Sequence, residues 1–205
     1  MRFTNFFLIL LFTVTLHGGE PARREPTVSP LDLTSRFDQG RMELQSLIGA
    51  YFSVSGNDTL NFSLSSYRLG RMLTQASGEG LWRGNTEMLV EAFYGNVFEG
   101  GGDNLGGASL IFRYNFIQPQ SRWIPYVQAG AGFFVSDIWK DRTQALIGQE
   151  WQYQLQAGAG VRYLFGKKWA LGLEAGYRFV SNVGSAPRDE GLKAVGVQIG
   201  LFRAF

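Results

Sequence analysis

The sequence predicts an all-β, transmembrane, antiparallel up-and-down β-barrel of about eight strands. Three observations carry this. The C-terminal half alternates apolar and polar residues with period two. The composition is rich in turn and girdle residues, with 27 Gly and 15% aromatics. Links between the alternating segments are alternately short and long. Barrel strands average out to ordinary hydrophobicity because lipid-facing and lumen-facing residues alternate.

The elements follow in order. Arg2 precedes an apolar run from Phe6 to Leu16, and Gly18 and Gly19 offer small residues after it. A run this short does not span a bilayer as a helix, and the pattern reads as a cleavable export signal over residues 1–19. A short membrane anchor is the competing reading. Residues 20–41 hold Pro21, Pro26 and Pro30 among charged residues, which reads as an irregular periplasmic leader, a solvated tail with no role of its own. The barrel is expected over residues 42–205. The first two strands, about Met42 to Val54 and Leu60 to Thr74, alternate least cleanly, and a bulge near Ser65 and Ser66 is open. Ala108 to Phe116 and Tyr126 to Val135 alternate better. In Trp151 to Phe165, Tyr153, Leu155, Ala157, Ala159 and Val161 oppose Gln154, Gln156, Gly158, Gly160 and Arg162. The next strand sets Trp169, Leu171, Leu173, Ala175, Tyr177 and Phe179 against Gly172, Glu174, Gly176 and Arg178. The last sets Val195, Val197, Ile199 and Leu201 against Gly196, Gln198, Gly200 and Phe202. Such alternation puts each set on its own face.

One face is thus apolar and aromatic. The other carries Gly, Gln and charges such as Glu87, Glu91, Arg113, Arg162, Glu174 and Arg178. An apolar face turned to lipid, with charges pairing in a narrow lumen, fits this better than a soluble periplasmic barrel or sandwich, whose interior the aromatics would crowd. Tyr153, Trp169 and Tyr177 then sit at the bilayer interfaces. Tight links at Gly166–Lys168 and Ile117–Ser121 fit periplasmic turns. Longer ones near Val97–Gly107, Asp137–Glu150 and Val183–Gly191 fit outer loops. The expected location is the bacterial outer membrane, with outer-membrane lipid and lipopolysaccharide as surroundings. The last strand, with Phe205 behind it, resembles the signal read by the outer-membrane assembly machinery.

Composition narrows the function. A net charge of +2 gives no basic patch for nucleic acid. With no Cys there is no thiol nucleophile or thiolate metal site. No metal constellation or cofactor motif is present, and the run Gly100 to Gly102 follows no nucleotide-binding pattern. The single histidine is His17, inside the expected signal, so residues 18–205 contain none.

The stretch Tyr177-Arg178-Phe179-Val180-Ser181-Asn182-Val183-Gly184, followed by Gly191, Leu192 and Lys193, resembles the PagL-type lipid A 3-O-deacylases, also called acyloxyacyl hydrolases. Phe112-Arg113-Tyr114, Trp123 to Gly132 and Gln156 to Arg162 extend the resemblance over about the C-terminal half. In that family the penultimate strand carries His-x-Ser-Asn-x-Gly, and a Glu follows early in the last strand. The resemblance implies an eight-stranded barrel that removes a hydroxyacyl chain from lipid A. By position Ser181 is the nucleophile, and Asn182 and Gly184 belong to the oxyanion hole. The His and Glu positions are Phe179 and Lys193, where this sequence departs from the family.

Period two places Phe179, Ser181 and Lys193 together on the lipid face. A serine hydroxyl without a base is a weak nucleophile. Asp189 and Glu190 lie in the adjoining loop, but a carboxylate is a weak base at neutral pH unless burial raises its pKa. The expectation is a deacylase-type barrel whose hydrolase site is lost, a pseudoenzyme with a structural or lipopolysaccharide-binding role. Two readings compete with it. One is an active esterase in which Ser181 uses an unusual base such as Lys193. The other is a small pore or adhesion barrel. Blander roles also exist: Ser181, Asn182 and Gly184 as a strand end and turn, Phe179 as a girdle aromatic, and Lys193 as an interface lysine facing a lipid A phosphate.

Overall fold

A computed structural model describes residues 33–54, 58–188 and 190–205. The expected export signal over residues 1–19 and the Pro-rich stretch before residue 33 lie outside the described residues. Eight strands form one closed antiparallel barrel in sequence order: β1 Met42–Ser53, β2 Asn61–Met72, β3 Gly84–Glu99, β4 Asn104–Phe116, β5 Trp123–Ser136, β6 Trp151–Leu164, β7 Trp169–Ser181 and β8 Leu192–Ala204. β8 pairs back onto β1 from Glu43↔Ala204 to Ser53↔Ala194. Closure leaves no strand edge with unsatisfied backbone groups, which lipid would not tolerate. The connections 137–150 and 182–191 lie at one end, taken as the outer one; the N-terminal segment and the end of β8 lie at the other, periplasmic end.

The register obeys the alternation. Val195, Val197, Ile199 and Leu201 point outward, while Gln198 and Phe202 are buried. The outer wall carries aromatic residues near both rims: Phe52, Phe98, Phe133, Trp151 and Tyr153 toward the outer end, Trp82, Trp123 and Trp169 toward the periplasmic one. Phe133 contacts both Trp151 and Tyr153, and Trp123 stacks obliquely on Tyr163.

Three expectations need correction. The expected loop near Val97–Gly107 shrinks to residues 100–103, because β3 and β4 pair as far as Asn96↔Asn104. The long periplasmic connection is instead 73–83, which holds a short 3₁₀ turn, Gly80–Trp82. No bulge falls at Ser65 and Ser66, which pair continuously with Ile48 and Leu47; the irregularity lies between Asn61 and Phe62. The described part of the leader is not a solvated tail. Leu33, Arg36 and Phe37 are buried in the periplasmic mouth, with a 3₁₀ turn over Ser35–Phe37.

The lumen is layered. Near the periplasmic end, Leu33, Phe37, Leu47, Ile117, Ile124 and Phe202 form an apolar plug. At the outer end, Tyr51, Phe62, Phe93 and Phe134 pack with Ile138, Leu146 and Ile147 from the folded-in loop 137–150. Between the plugs lies a charged ladder. Arg162 bonds Glu43 at 2.8 Å and Glu87 at 2.7 Å. Arg68 bonds Glu174 through both terminal nitrogens, at 2.7 and 2.9 Å, and Glu91 at 2.8 Å. Arg178 reaches Glu91 at 3.0 Å. Tyr126 donates to Glu174 at 3.0 Å.

All six lumen charges expected from the sequence face inward, joined by Arg36, Glu43 and Arg68. Each buried ion is paired because an uncompensated charge out of water costs several kcal/mol. Glycines make room for the large rings. A Cβ on Gly176 would lie 2.6 Å from the Tyr51 hydroxyl, and one on Gly196 would lie 2.5 Å from its Cγ. A lumen filled in this way argues against a conducting pore.

Candidate functional site

The outer ends of β6, β7 and β8 bring the sequence-selected residues onto one stretch of outer wall. Phe179 and Lys193 are direct cross-strand partners. Ser181, two residues further along β7, faces the same side and pairs with Tyr153 of β6. Directly opposed residues of an antiparallel pair have Cα atoms about 4.5–5.5 Å apart, so Phe179 and Lys193 are neighbours. Lys193 is exposed, while Phe179 and Ser181 are half-buried.

Local geometry explains the half-burial of Phe179. Gly191 has φ +74°, and a Cβ there would meet the Phe179 ring at 2.9 Å. The ring therefore lies against bare glycine backbone at the start of β8, which a side chain would obstruct. Ser181 ends β7 in a serine turn, its hydroxyl oxygen accepting the Val183 N–H at 3.0 Å. Val183 and Gly184, at φ +54° and +77°, then reverse the chain. Glycine takes that conformation without cost.

Asn182 departs from the wall. Its side chain is buried and donates to the Arg188 carbonyl at 2.9 Å. Its own carbonyl accepts the Ser185 hydroxyl at 2.7 Å. The side chain thus braces loop 182–191 from within. Of the two acidic residues expected near Ser181, Asp189 lies outside the described residues. Glu190 is exposed, and its backbone N–H bonds the Ala145 carbonyl.

Sequence reasoning missed Arg188. Its guanidinium donates to the carbonyls of Asp141 at 2.7 Å, Gln144 at 3.1 Å and Trp139 at 2.8 Å. It thereby ties loop 182–191, which carries the Ser-Asn-x-Gly turn, to loop 137–150, whose apolar residues plug the lumen. Nothing in its local sequence distinguishes this arginine from a solvated one; the acceptors lie more than forty residues away.

Chemically the wall offers a hydroxyl, an aromatic face and a cation at the level of the outer-leaflet interface. Glu99 and Asp103 also lie at this end of the barrel. Among the described residues no group of His, Cys, Asp and Glu is arranged to hold a metal ion.

Comparison with known proteins places this geometry. No curated protein matches the chain. Among solved structures, the barrel is similar to Neisserial surface protein A, with 13% identity, TM-score 0.60, and coverage of 80% of this chain and 97% of that one. It also aligns with the outer-membrane enzyme PagL at 20% identity and TM-score 0.49, covering 75% of this chain and 97% of that one. OprG from Pseudomonas aeruginosa aligns at 11% identity and TM-score 0.49, covering 82% and 97%. The family model described as lipid A 3-O-deacylase (PagL) matches residues 48–202, which include half of β1, all of β2 to β7, most of β8 and the Ser181 turn. The chain is an outer-membrane β-barrel and belongs to the lipid A 3-O-deacylase (PagL) family.

Proposed function

We propose that this chain is a non-hydrolytic member of its family, one that holds lipid A against its outer wall without cleaving it. The observation that carries this reading is the pairing of Phe179 with Lys193 beside Ser181. These are the two positions where the family resemblance calls for a base and its carboxylate partner. Residues 18–205 contain no histidine, so no other strand supplies an imidazole.

Loss of the base from a serine triad costs on the order of ten-thousandfold or more in turnover. What remains suits binding. An apolar wall accepts acyl chains, and the exposed Lys193 ammonium at the outer interface attracts a lipid A phosphate. A lysine near an interface keeps its charge at headgroup level while its stem stays in the apolar region.

The test is mass spectrometry of lipid A from outer membranes carrying the chain, lacking it, or carrying Ser181→Ala. The expected result is identical lipid A in all three, with more lipid A co-purifying with the native chain than with Lys193→Glu. Loss of one hydroxyacyl chain that depends on Ser181 would sink the proposal. It would favour a Ser–Lys esterase, the reading that Lys193 supports by sharing a wall with Ser181.

A further inference from the structure

At the opposite end of the barrel, the N-terminal segment, the link between β6 and β7 and the end of β8 enclose a cavity of about 170 Å³. That is several times the roughly 30 Å³ a water molecule occupies in the liquid. Its polar lining is basic: Arg36, Arg41, Lys167 and Lys168, with Ser35, while Ala204 and Phe205 form the apolar wall. Arg36 is the informative member. It is 97% buried, and its Nη2 bonds Glu43, yet its Nε and Nη1 have no hydrogen-bond partner. Glu43 is also shared with Arg162, so it does not neutralise Arg36 alone. Buried guanidinium nitrogens normally find acceptors, and leaving one without any is costly. Arg36 also lines a cavity whose other charged side chains are all cations.

The surroundings point to the source of an acceptor. Arg71, Arg122 and Arg203 continue the basic rim, against Asp38 and Glu79 among the described residues, and Asp38 is engaged by Gln75. A carboxylate on Phe205 would offset one of these charges and leave the rim basic. Trp169, in cation–π contact with Arg203 at 5.5 Å, and the exposed Trp82 and Phe205 set this rim at a membrane interface.

We propose that this cavity binds the phosphate headgroup of an anionic phospholipid from the inner leaflet, with Arg36 as the buried anchor and Arg41 and Lys168 as the outer clamp. Arginine holds phosphate oxygens through its forked donors, and rim lysines add point charge.

The experiment uses the full chain refolded in phosphocholine micelles. Native mass spectrometry reads the lipid retained from equimolar phosphatidylglycerol and phosphatidylcholine, with inorganic phosphate as competitor. Arg41→Gln/Lys168→Gln changes only exposed side chains, so folding is expected to survive, and gel mobility verifies it. The native chain should retain phosphatidylglycerol preferentially. The double variant should weaken that retention on the order of tenfold, given the contribution of each basic residue near a membrane surface. Arg122→Gln, on the rim but outside the cavity, should leave it unchanged.

Equal retention of the two lipids, or a double variant that keeps the preference, overturns the site. So does an equal loss in Arg122→Gln, which would mean a diffuse rim effect. Full displacement by millimolar inorganic phosphate overturns the lipid assignment in favour of a free-anion site.

Discussion

Replacing Arg162 by Met should be among the most damaging single changes in the barrel. Its side chain is wholly buried between two carboxylates, Glu43 at 2.8 Å and Glu87 at 2.7 Å, and it also donates to Asn115 at 3.0 Å. Its guanidinium lies 5.1 Å from the Tyr126 and Phe202 ring centroids and 5.6 Å from that of Phe37. Methionine fills much of the volume but none of the charge. Glu43 keeps Arg36 and Gln45, while Glu87 keeps Gln45 at 3.1 Å and Asn115 at 3.3 Å, with Arg113 at 3.4 Å as its remaining ion pair. Breaking a buried pair from one side costs about 3–5 kcal/mol, chiefly because a charge is left uncompensated. The partial compensation that survives here puts the expected loss at about 3 kcal/mol. Urea unfolding of the refolded barrel in lipid vesicles, followed by tryptophan fluorescence and heat-modifiable gel mobility, measures it. The double variant Arg162→Met/Glu87→Gln should be less damaged than the sum of its parts, since it removes the stranded carboxylate. A loss under about 1 kcal/mol in the single variant, or strict additivity in the double, would refute the ladder as a source of stability.

Other consequences are as direct. Phe179→His with Lys193→Glu restores the two side-chain types that the family resemblance calls for at a pair of opposed positions. Ester hydrolysis should rise measurably in the folded double variant and vanish again with Ser181→Ala; no gain would mean that the turn after Ser181 no longer presents an oxyanion hole. Phe37→Ala should cost about 3 kcal/mol, read by the same urea assay, because a ring 1% exposed leaves a cavity in the periplasmic plug; a neutral result would mean that the N-terminal segment is not seated in the mouth. Partial burial alone would raise the pKa of Asp137, but the N–H groups of Asn104 and Asp103, at 3.0 and 2.9 Å, hold it below its usual value. The sign follows: a depressed native pKa gives stability that is present above about pH 4 and lost as the pH falls through the native value. Hydrogen exchange at Asp103 and Asn104, corrected for intrinsic rates, should therefore lose protection in acid, and Asp137→Asn should remove that dependence.

The legible and illegible parts of the fold differ for a physical reason. In β6 and β7 the inward residues are Gln, Glu, Arg or Gly over most of their length, and mid-β8 turns Gly196, Gln198 and Gly200 inward, so period two is visible against an apolar outer wall. In β1 and β2 the inward set includes Leu47, Tyr51, Phe62 and Leu64, which belong to the two apolar plugs. Both faces then read as apolar, and register and bulge are lost to view. The plug contributed by Leu33 and Phe37 was hidden because two side chains among prolines and charges show no period; only the mouth they fill gives them meaning. The wall site was legible as a face, since Phe179, Ser181 and Lys193 are in phase across a hairpin. The inward turn of Asn182 was not, because it depends on the Arg188 carbonyl at the far end of its loop.

Stability and surface chemistry occupy opposite sides of the same strands. Arg178 points inward to Glu91, while Phe179, the next residue, lies on the lipid wall. A change at Phe179 or Lys193 therefore leaves the charged ladder and both plugs untouched, and outward substitutions near the rim cost little in lipid. Residues without a shared partner contribute additively. A barrel of this construction can lose or regain a catalytic side chain on its wall without passing through an unfolded sequence. Absence of a histidine beside Ser181 thus carries no implication of a damaged fold, and a stable barrel carries no implication of hydrolysis.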